Sequence, residues 1–317
     1  MARLAYLGTP DMAVPPLRAL VAAGHDIALC VTRPDRRRGR GKEETPSPVK
    51  VAATELGLPV THDMDDLTTA GVELAVVVAY GRIIPPWMLA LPRLGCINLH
   101  ASLLPKYRGA APIQWAIANG DAFTGNTTML LEEGLDTGPI LLQQTHEIGP
   151  EQTAVDLFEM LARAGAPLVV ETLAGLADGT IHPRPQNQEH ATFAPLLDRE
   201  DGRMDFALRS AHELYNRWRG FQPWPGAFTT LGGKKLIVHR LAVAASQGIH
   251  SPHAAHSGAV KPGQIRIESH RIFAACAADT WLELIELQLE GKKRLAAAEF
   301  LHGTQLRAGS RLGTPNP

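Results

Sequence analysis

The stretch Arg3-Leu4-Ala5-Tyr6-Leu7-Gly8, near the start of this 317-residue chain, is an apolar run typical of a buried β-strand. Residues 12–23 then show a helical pattern, and residues 26–32 form a second apolar run of strand length. A strand, a helix and a strand in this order are typical of a parallel sheet. We therefore predict an α/β fold class for the first part of the chain, with a Rossmann-like, doubly wound and mostly parallel sheet.

The same opening argues against a nicotinamide-dependent dehydrogenase. Such enzymes bind the pyrophosphate of the dinucleotide with a G-x-G-x-x-G run between the first strand and the first helix. Gly8 stands alone at this place in the chain. The sheet is therefore predicted to lack a dinucleotide site.

Two polar side chains occupy the predicted strand Cys96-Ile97-Asn98-Leu99-His100. Asn98 and His100 are two residues apart, so they point to the same side of the strand. An amide and an imidazole at the carboxyl end of a strand suggest a polarised carbonyl and a proton transfer, at the edge where open α/β sheets bind ligands. A lone histidine here would favour the simpler interpretation, a buried strand with a hydrogen-bonded ring.

Two segments together resemble the folate-dependent formyltransferases. The first joins Asn98 and His100 to Ser102-Leu103-Leu104-Pro105-Lys106-Tyr107-Arg108-Gly109, and the second is Gly134-Leu135-Asp136-Thr137-Gly138. The resemblance implies formyl-tetrahydrofolate as the donor, no metal, and a catalytic trio. The implied residues are Asn98, His100 and Asp136 for catalysis and Ser102, Leu103, Leu104 and Pro105 for the folate pocket, walled by residues 78–84.

A hydrolase with a Ser-His-Asp triad is the alternative chemistry for Ser102, His100 and Asp136. No G-x-S-x-G turn surrounds Ser102, and attack by an amine needs no protein nucleophile. This alternative is therefore disfavoured.

A basic segment follows the second predicted strand. Residues 33–42 read Arg-Pro-Asp-Arg-Arg-Arg-Gly-Arg-Gly-Lys, and we predict a mobile, exposed loop, inserted at 33–50. A solvated run of charges is the simpler interpretation. The loop also resembles the one with which formyltransferases acting on methionyl-tRNA contact the acceptor arm. That resemblance implies tRNA contacts by Arg36, Arg37, Arg38, Arg40 and Lys42.

Charge and composition divide the chain. Residues 1–206 carry 17 lysines and arginines against 25 acidic residues, and residues 207–317 carry 14 against 7. A basic second part suggests an anionic partner. Its short predicted strands suggest a small barrel, and Pro223-Trp224-Pro225 resembles the start of the OB-like C-terminal domain of these formyltransferases. We predict a catalytic domain at 1–190, a linker at 191–206 and an OB-like, tRNA-binding domain at 207–317.

The predicted function is formyl transfer to the methionyl group of initiator methionyl-tRNA, for translation initiation. An amino-sugar-nucleotide N-formyltransferase shares the same trio, and a non-catalytic RNA-binding protein is the alternative of another class. Three widely spaced cysteines fit a reducing cytoplasm. No apolar run is expected to span a bilayer, no obligate protein partner is implied, and the family suggests a monomer.

Two smaller expectations complete the sequence-based account. Ala164-Gly165-Ala166-Pro167 predicts a kink or break in a helix over residues 153–177, since proline lacks the N–H that a helix interior needs. His250, His253 and His256 are spaced like metal ligands, but no cysteine or acidic partner stands near them. We therefore do not expect a metal there.

Overall fold

A computed structural model describes residues 2–38, 43–244, 260–304 and 306–313. Contacts within the chain divide it into two units. Unit 1 comprises residues 1–113, 122–150 and 155–196, and unit 2 comprises residues 114–121, 151–154 and 197–317. His250, His253, His256, Arg40 and Lys42, to which the sequence drew attention, lie outside the described residues.

A seven-stranded sheet forms the centre of unit 1. Its order is β5-β2-β1-β6-β7-β8-β9, parallel from β5 to β7 and antiparallel at β8 and β9. The strands that precede residue 150 are β1 (Arg3–Gly8), β2 (Asp26–Val31), β3 (Arg36–Arg38), β4 (Glu43–Thr45), β5 (Val60–Thr61), β6 (Leu74–Val78), β7 (Cys96–His100), β8 (Phe123–Leu130) and β9 (Ile140–Glu147). The predicted doubly wound, mostly parallel sheet is confirmed.

The α-helices between residues 14 and 177 of the described chain are α1 (Val14–Ala22), α2 (Pro48–Glu55), α3 (Pro86–Ala90), α4 (Pro112–Ala118) and α5 (Ala154–Ala177). Every residue of β6 is buried, as the central strand of a sheet covered on both faces requires. Tyr6 and Ile97 from the sheet, Leu17 from α1 and Val169 from α5 belong to one apolar core. This core holds β7, and with it Asn98 and His100, in the middle of the sheet.

Helix α5 corrects two expectations. It is one 24-residue helix that continues through Pro167, so of the predicted kink or break, the break is wrong. Leu168, Val169 and Leu173, just beyond the proline, are buried in the core of unit 1, and this packing outweighs the lost backbone bond. By length and composition alone α5 could also cross a membrane, contrary to the expectation that no run is long enough. Its buried residues make it a core helix.

Unit 2 contains an antiparallel sheet in the order β10-β11-β14-β13-β12, with β15 paired to β14. Its elements are α6 (Ala211–Gly220), β10 (Phe228–Leu231), β11 (Lys234–Val243), β12 (Ile265–Glu268), β13 (Arg271–Ala275), β14 (Trp281–Leu289), β15 (Arg294–Ala296) and α7 (Ala297–Gly303). Ser210 and Glu213 form a capping box that starts α6, and Leu214 of that helix packs into the core over the sheet. The short strands predicted for the second part of the chain are confirmed, and the structure shows that they pair antiparallel.

The cysteines lead to a first prediction. Cys30, Cys96 and Cys276 are buried, free thiols, and burial raises the pKa of each to about 12. We therefore expect no alkylation by iodoacetamide in the native protein at about pH 8, and three additions after unfolding, measured by intact mass. Equal labelling rates in native and denatured samples would contradict this.

The same pKa shifts set the direction of a pH effect. Because the folded state raises the pKa of these thiols, their contribution to stability is complete below the ordinary thiol value of about 8.5 and is lost as the pH rises toward about 12. The Tm should therefore fall as the pH is raised above about 9.

Candidate active site

The His100 ring is buried at the end of β7, with 6% of the residue exposed. Its Nε2 lies 2.9 Å from the backbone oxygen of Tyr107. A carbonyl can only accept, so Nε2 carries a hydrogen and donates it, which leaves Nδ1 as the proton-accepting nitrogen of the neutral ring. Nδ1 lies 3.7 Å from Oδ2 of Asp136, an ion-pair distance once the ring is protonated.

Asn98 presents an amide without a protein partner. It is half-buried, two residues before His100 on β7, and its register places it opposite Val77 on β6 and Met129 on β8. Within the described parts of the chain, its side chain makes no hydrogen bond. A strand-end amide in this state is available to donate to a ligand oxygen.

Asp136 reaches the site from the loop between β8 and β9. Its Oδ2 accepts a 2.8 Å hydrogen bond from the backbone N–H of Gly109, so the carboxylate is attached to the loop that follows β7. Asp136 has a φ of +50°, a conformation that aspartate adopts more readily than most residues. Gly138 lies near the end of this loop. The position requires glycine, because a Cβ here would lie 1.8 Å from the oxygen of Leu130.

The segment predicted to shape the folate pocket is a tight turn bonded to β8. Ser102 is fully buried and donates from Oγ to the backbone oxygen of Lys106 at 2.6 Å. Leu104 packs with Met129 and Ile140, whereas Leu103 and Pro105 are half-buried. The hydroxyl of Ser102 is thus engaged away from His100, which argues further against the hydrolase alternative.

The basic segment differs from the predicted mobile loop. Arg36–Arg38 forms β3 and pairs with β4 in an antiparallel ribbon, with Arg36 opposite Thr45. At its base Asp35 forms a 2.6 Å ion pair with Lys50, and the hydroxyls of Thr32 and Ser47 are 2.7 Å apart. The backbone pairing of β3 and β4, which sequence patterns did not predict, replaces the loop in this part. Since β2 and β7 are parallel, the ribbon leaves the sheet at the edge where His100 lies.

Three residues with structural roles in the site were not predicted. Thr127, opposite His100 on β8, donates from Oγ1 to the oxygen of Ser102 at 2.6 Å. Arg108 is 3% exposed, and its guanidinium bonds Gln186, which is 7% exposed. Arg108 lies inside the motif that resembles the formyltransferases, so its position was a usable signal. Gln186 lies in a polar stretch without periodicity, where no local signal exists.

In the part of the chain that the structure describes, no group of three or more histidine, cysteine, aspartate or glutamate side chains could hold a metal ion. The candidate groups at the carboxyl edge of the parallel sheet are the Asn98 amide, the His100 imidazole and the Asp136 carboxylate. Such a set can polarise a carbonyl, accept a proton from an attacking group and stabilise the resulting imidazolium. These tasks suit the transfer of an acyl group to an acceptor that is itself the nucleophile.

Comparison with family models agrees with this chemistry. The model described as "Formyl transferase" matches residues 2–173, and "Formyl transferase, C-terminal domain" matches residues 196–305. The chain therefore belongs to the formyl transferase family, which confirms the class of enzyme predicted from its sequence.

The chain is also similar to individual proteins of known name or solved structure. The chain is 54% identical to the methionyl-tRNA formyltransferase of Acidobacterium capsulatum, over 98% of this chain and 99% of that protein. Among solved structures, it resembles an N-formyltransferase from Helicobacter canadensis in complex with folinic acid and dTDP-3-aminofucose, with a TM-score of 0.66, 16% identity and coverage of 90% and 99%. HypX from Aquifex aeolicus with tetrahydrofolic acid matches with a TM-score of 0.61, 15% identity and coverage of 95% and 47%. These two structural likenesses concern the fold.

Proposed function

We propose that this chain transfers the formyl group of formyl-tetrahydrofolate to the amino group of the methionyl moiety of initiator methionyl-tRNA. The observation that carries the proposal is the Asn98 amide, which has no hydrogen-bond partner among the described residues, on the same strand as a His100 ring whose Nδ1 faces Asp136. The relative at 54% identity, whose name specifies methionyl-tRNA, supports the choice of acceptor.

The proposed reaction forms one bond and breaks another. The methionyl nitrogen attacks the formyl carbon, a new nitrogen–carbon bond forms, and the bond from that carbon to the folate nitrogen breaks. Asn98 donates to the formyl oxygen as negative charge develops there. His100 accepts the proton of the amine at Nδ1 and returns it to the departing folate nitrogen, while Asp136 stabilises the imidazolium.

The proposed donor fits the edge of the sheet. Residues 102–105 and 78–84 follow β7 and β6 at the carboxyl ends of these strands, the position at which open sheets bind planar ligands. A solved N-formyltransferase of similar fold is in complex with folinic acid, which supports the proposal of a folate donor. We propose that the tight turn formed by Ser102, Leu103, Leu104 and Pro105 shapes the folate pocket.

The proposed acceptor contacts are basic. In unit 2, Lys234 and Lys235 at the start of β11 adjoin the turn that holds Lys292 and Lys293, through the bond from the N–H of Glu290 to the oxygen of Lys235. Lys234, Lys292 and Lys293 are exposed and have no ion-pair partner among the described residues. Such a lysine cluster suits an RNA backbone. We propose the division 1–190, 191–206 and 207–317 for catalysis, linker and tRNA binding, in a cytoplasmic monomer.

Incubation with formyl-tetrahydrofolate that is labelled in its formyl group tests which acceptor the enzyme uses. Charged initiator methionyl-tRNA should gain the label, and a dTDP-amino-sugar should not. Label on the sugar alone would replace the proposal with the amino-sugar-nucleotide alternative. Retention of tRNA without any transfer would indicate the non-catalytic RNA-binding alternative.

Neutralising the basic segment should weaken tRNA binding. Replacement of Arg36, Arg37, Arg38 and Arg40 by glutamine is expected to raise the Kd for tRNA and to flatten its salt dependence, by roughly one logarithmic unit of slope for each phosphate that an arginine no longer neutralises. Folate binding should not change. Titration at several salt concentrations measures both effects.

A matched control removes the same four charges elsewhere in unit 1. The control arginines are exposed and each is paired with an acidic side chain: Arg3, Arg18, Arg93 and Arg163. Their replacement by glutamine should leave the salt slope unchanged. If the salt slope were also unchanged in the first variant, the basic segment would be a solvated run of charges that does not contact tRNA.

A further inference from the structure

The side-chain amide of Gln186 uses all of its hydrogen-bonding capacity inside the protein. Its Nε2 donates to the backbone oxygen of Asp136 at 2.8 Å and to that of Gly138 at 2.7 Å. Its Oε1 accepts from Nε and Nη2 of Arg108 at 3.1 and 2.6 Å. Two donated and two accepted bonds saturate an amide, so the orientation of this side chain is determined.

These bonds join the loop that contacts His100 to the loop that carries Asp136. One loop contains Tyr107 and Gly109. The backbone oxygen of Tyr107 accepts a hydrogen bond from Nε2 of His100, and the N–H of Gly109 donates one to Oδ2 of Asp136. The other loop contains Asp136 itself. Through Gln186, the backbone of the Asp136 loop is connected to the guanidinium of Arg108, the residue between Tyr107 and Gly109.

We propose that Gln186 is a positioning residue, which sets the Asp136 carboxylate against Nδ1 of His100. Displacement of Asp136 by a fraction of an ångström changes its interaction with a ring that is already 3.7 Å away, beyond hydrogen-bond distance. Gln186 itself touches no reacting atom. The proposal rests on the proposed function, because it assigns Gln186 a task in that reaction.

The substitution Gln186→Glu should keep the hydrogen bonds that Gln186 accepts and remove those that it donates. The carboxylate keeps the bonds from Arg108 but cannot donate to the oxygens of Asp136 and Gly138, and it repels them. We expect kcat to fall about 10-fold or more, with KM for folate and for tRNA changed by less than about 2-fold.

Gln188→Glu is the matched control. Gln188 is exposed and accepts from Nη1 of the same Arg108 at 2.8 Å, but it makes no bond to the Asp136 loop. The chemical change and the Arg108 partner are therefore the same. Its kcat should stay within about 2-fold of the wild-type value. An equal loss of kcat in the two variants would overturn the proposal.

A double-mutant cycle tells positioning from a general structural effect. If Gln186 acts through the carboxylate, Gln186→Glu added to Asp136→Asn should lower kcat by less than about 2-fold further, because the group it positions is gone. A further loss of about 10-fold in the Asp136→Asn background, equal to the loss in the wild-type background, would show independent effects and overturn the inference.

The cycle also keeps the two hypotheses apart. Wild-type turnover in Asp136→Asn would refute the proposed role of Asp136, whereas a slow Asp136→Asn enzyme with an unaffected Gln186→Glu enzyme would refute only the inference. Gln186→Met, similar in length and uncharged, repeats the test without repulsion. Loss of the folded state in both Gln186 variants would assign the residue a structural role and overturn the proposal.

Discussion

His100→Ala is expected to lower kcat about 100-fold or more, with KM for both substrates nearly unchanged. The ring is the group of the proposed trio that accepts the proton of the amine, and its tautomer is determined by the bond from Nε2 to the oxygen of Tyr107. Without it, the amine must lose its proton to water. Single-turnover formylation of methionyl-tRNA measures the loss directly.

Two controls separate chemistry from folding in this variant. Removal of a buried ring lowers the Tm to some degree, so the rate should be measured where the variant remains folded, with His190→Ala as an exposed-histidine control in the same unit. Added imidazole should restore part of the rate, because the vacated space can admit a free ring. Turnover near the wild-type value would refute the assignment of His100.

Asn98→Ala should lower kcat by about 10²-fold to 10³-fold, the usual effect of removing one oxyanion donor. The Tm should not change, because the Asn98 amide has no hydrogen bond within the described residues and is half-buried. The substitution thus removes a hydrogen bond that forms only with substrate. Steady-state kinetics and a thermal melt of the same preparation test both parts.

Asn126→Ala is the matched control on the neighbouring strand β8. Asn126 is fully buried, and its Nδ2 donates to the backbone oxygen of Leu161 in α5 at 2.9 Å. Its removal should lower the Tm, since a fully buried side chain and its hydrogen bond are lost, while kcat of the folded enzyme is retained. If Asn98→Ala instead behaved like this control, its amide would have a structural role and no place in the reaction.

Predictions about the fold were correct where the signal is periodic. The apolar runs of β1 and β2 and the helix between these two strands led to the parallel sheet. Predictions failed where packing or backbone pairing over longer distances competes with local rules. Pro167 lies inside α5 because the helix is held by the core, and Arg36–Arg38 forms a strand because it has a partner in β4.

The placement of Asn98 and His100 on one side of a strand follows from the period of two in any β-strand, so neighbouring residues suffice to predict it. Asp136 was assigned through family resemblance. Its approach to His100 depends on bonds between segments far apart in the chain, from Gly109 to Asp136 across 27 positions and from Arg108 to Gln186 across 78.

Local sequence therefore determines the strands and helices that have a clear hydrophobic period, and which side chains share a face, because these depend on steric preferences and periodicity within a few residues. The folded chain determines which nitrogen of His100 is free, how far it lies from Asp136, and that Gln186 holds both loops. Hydrogen bonds are short and directional, and their partners meet only after distant segments have packed together.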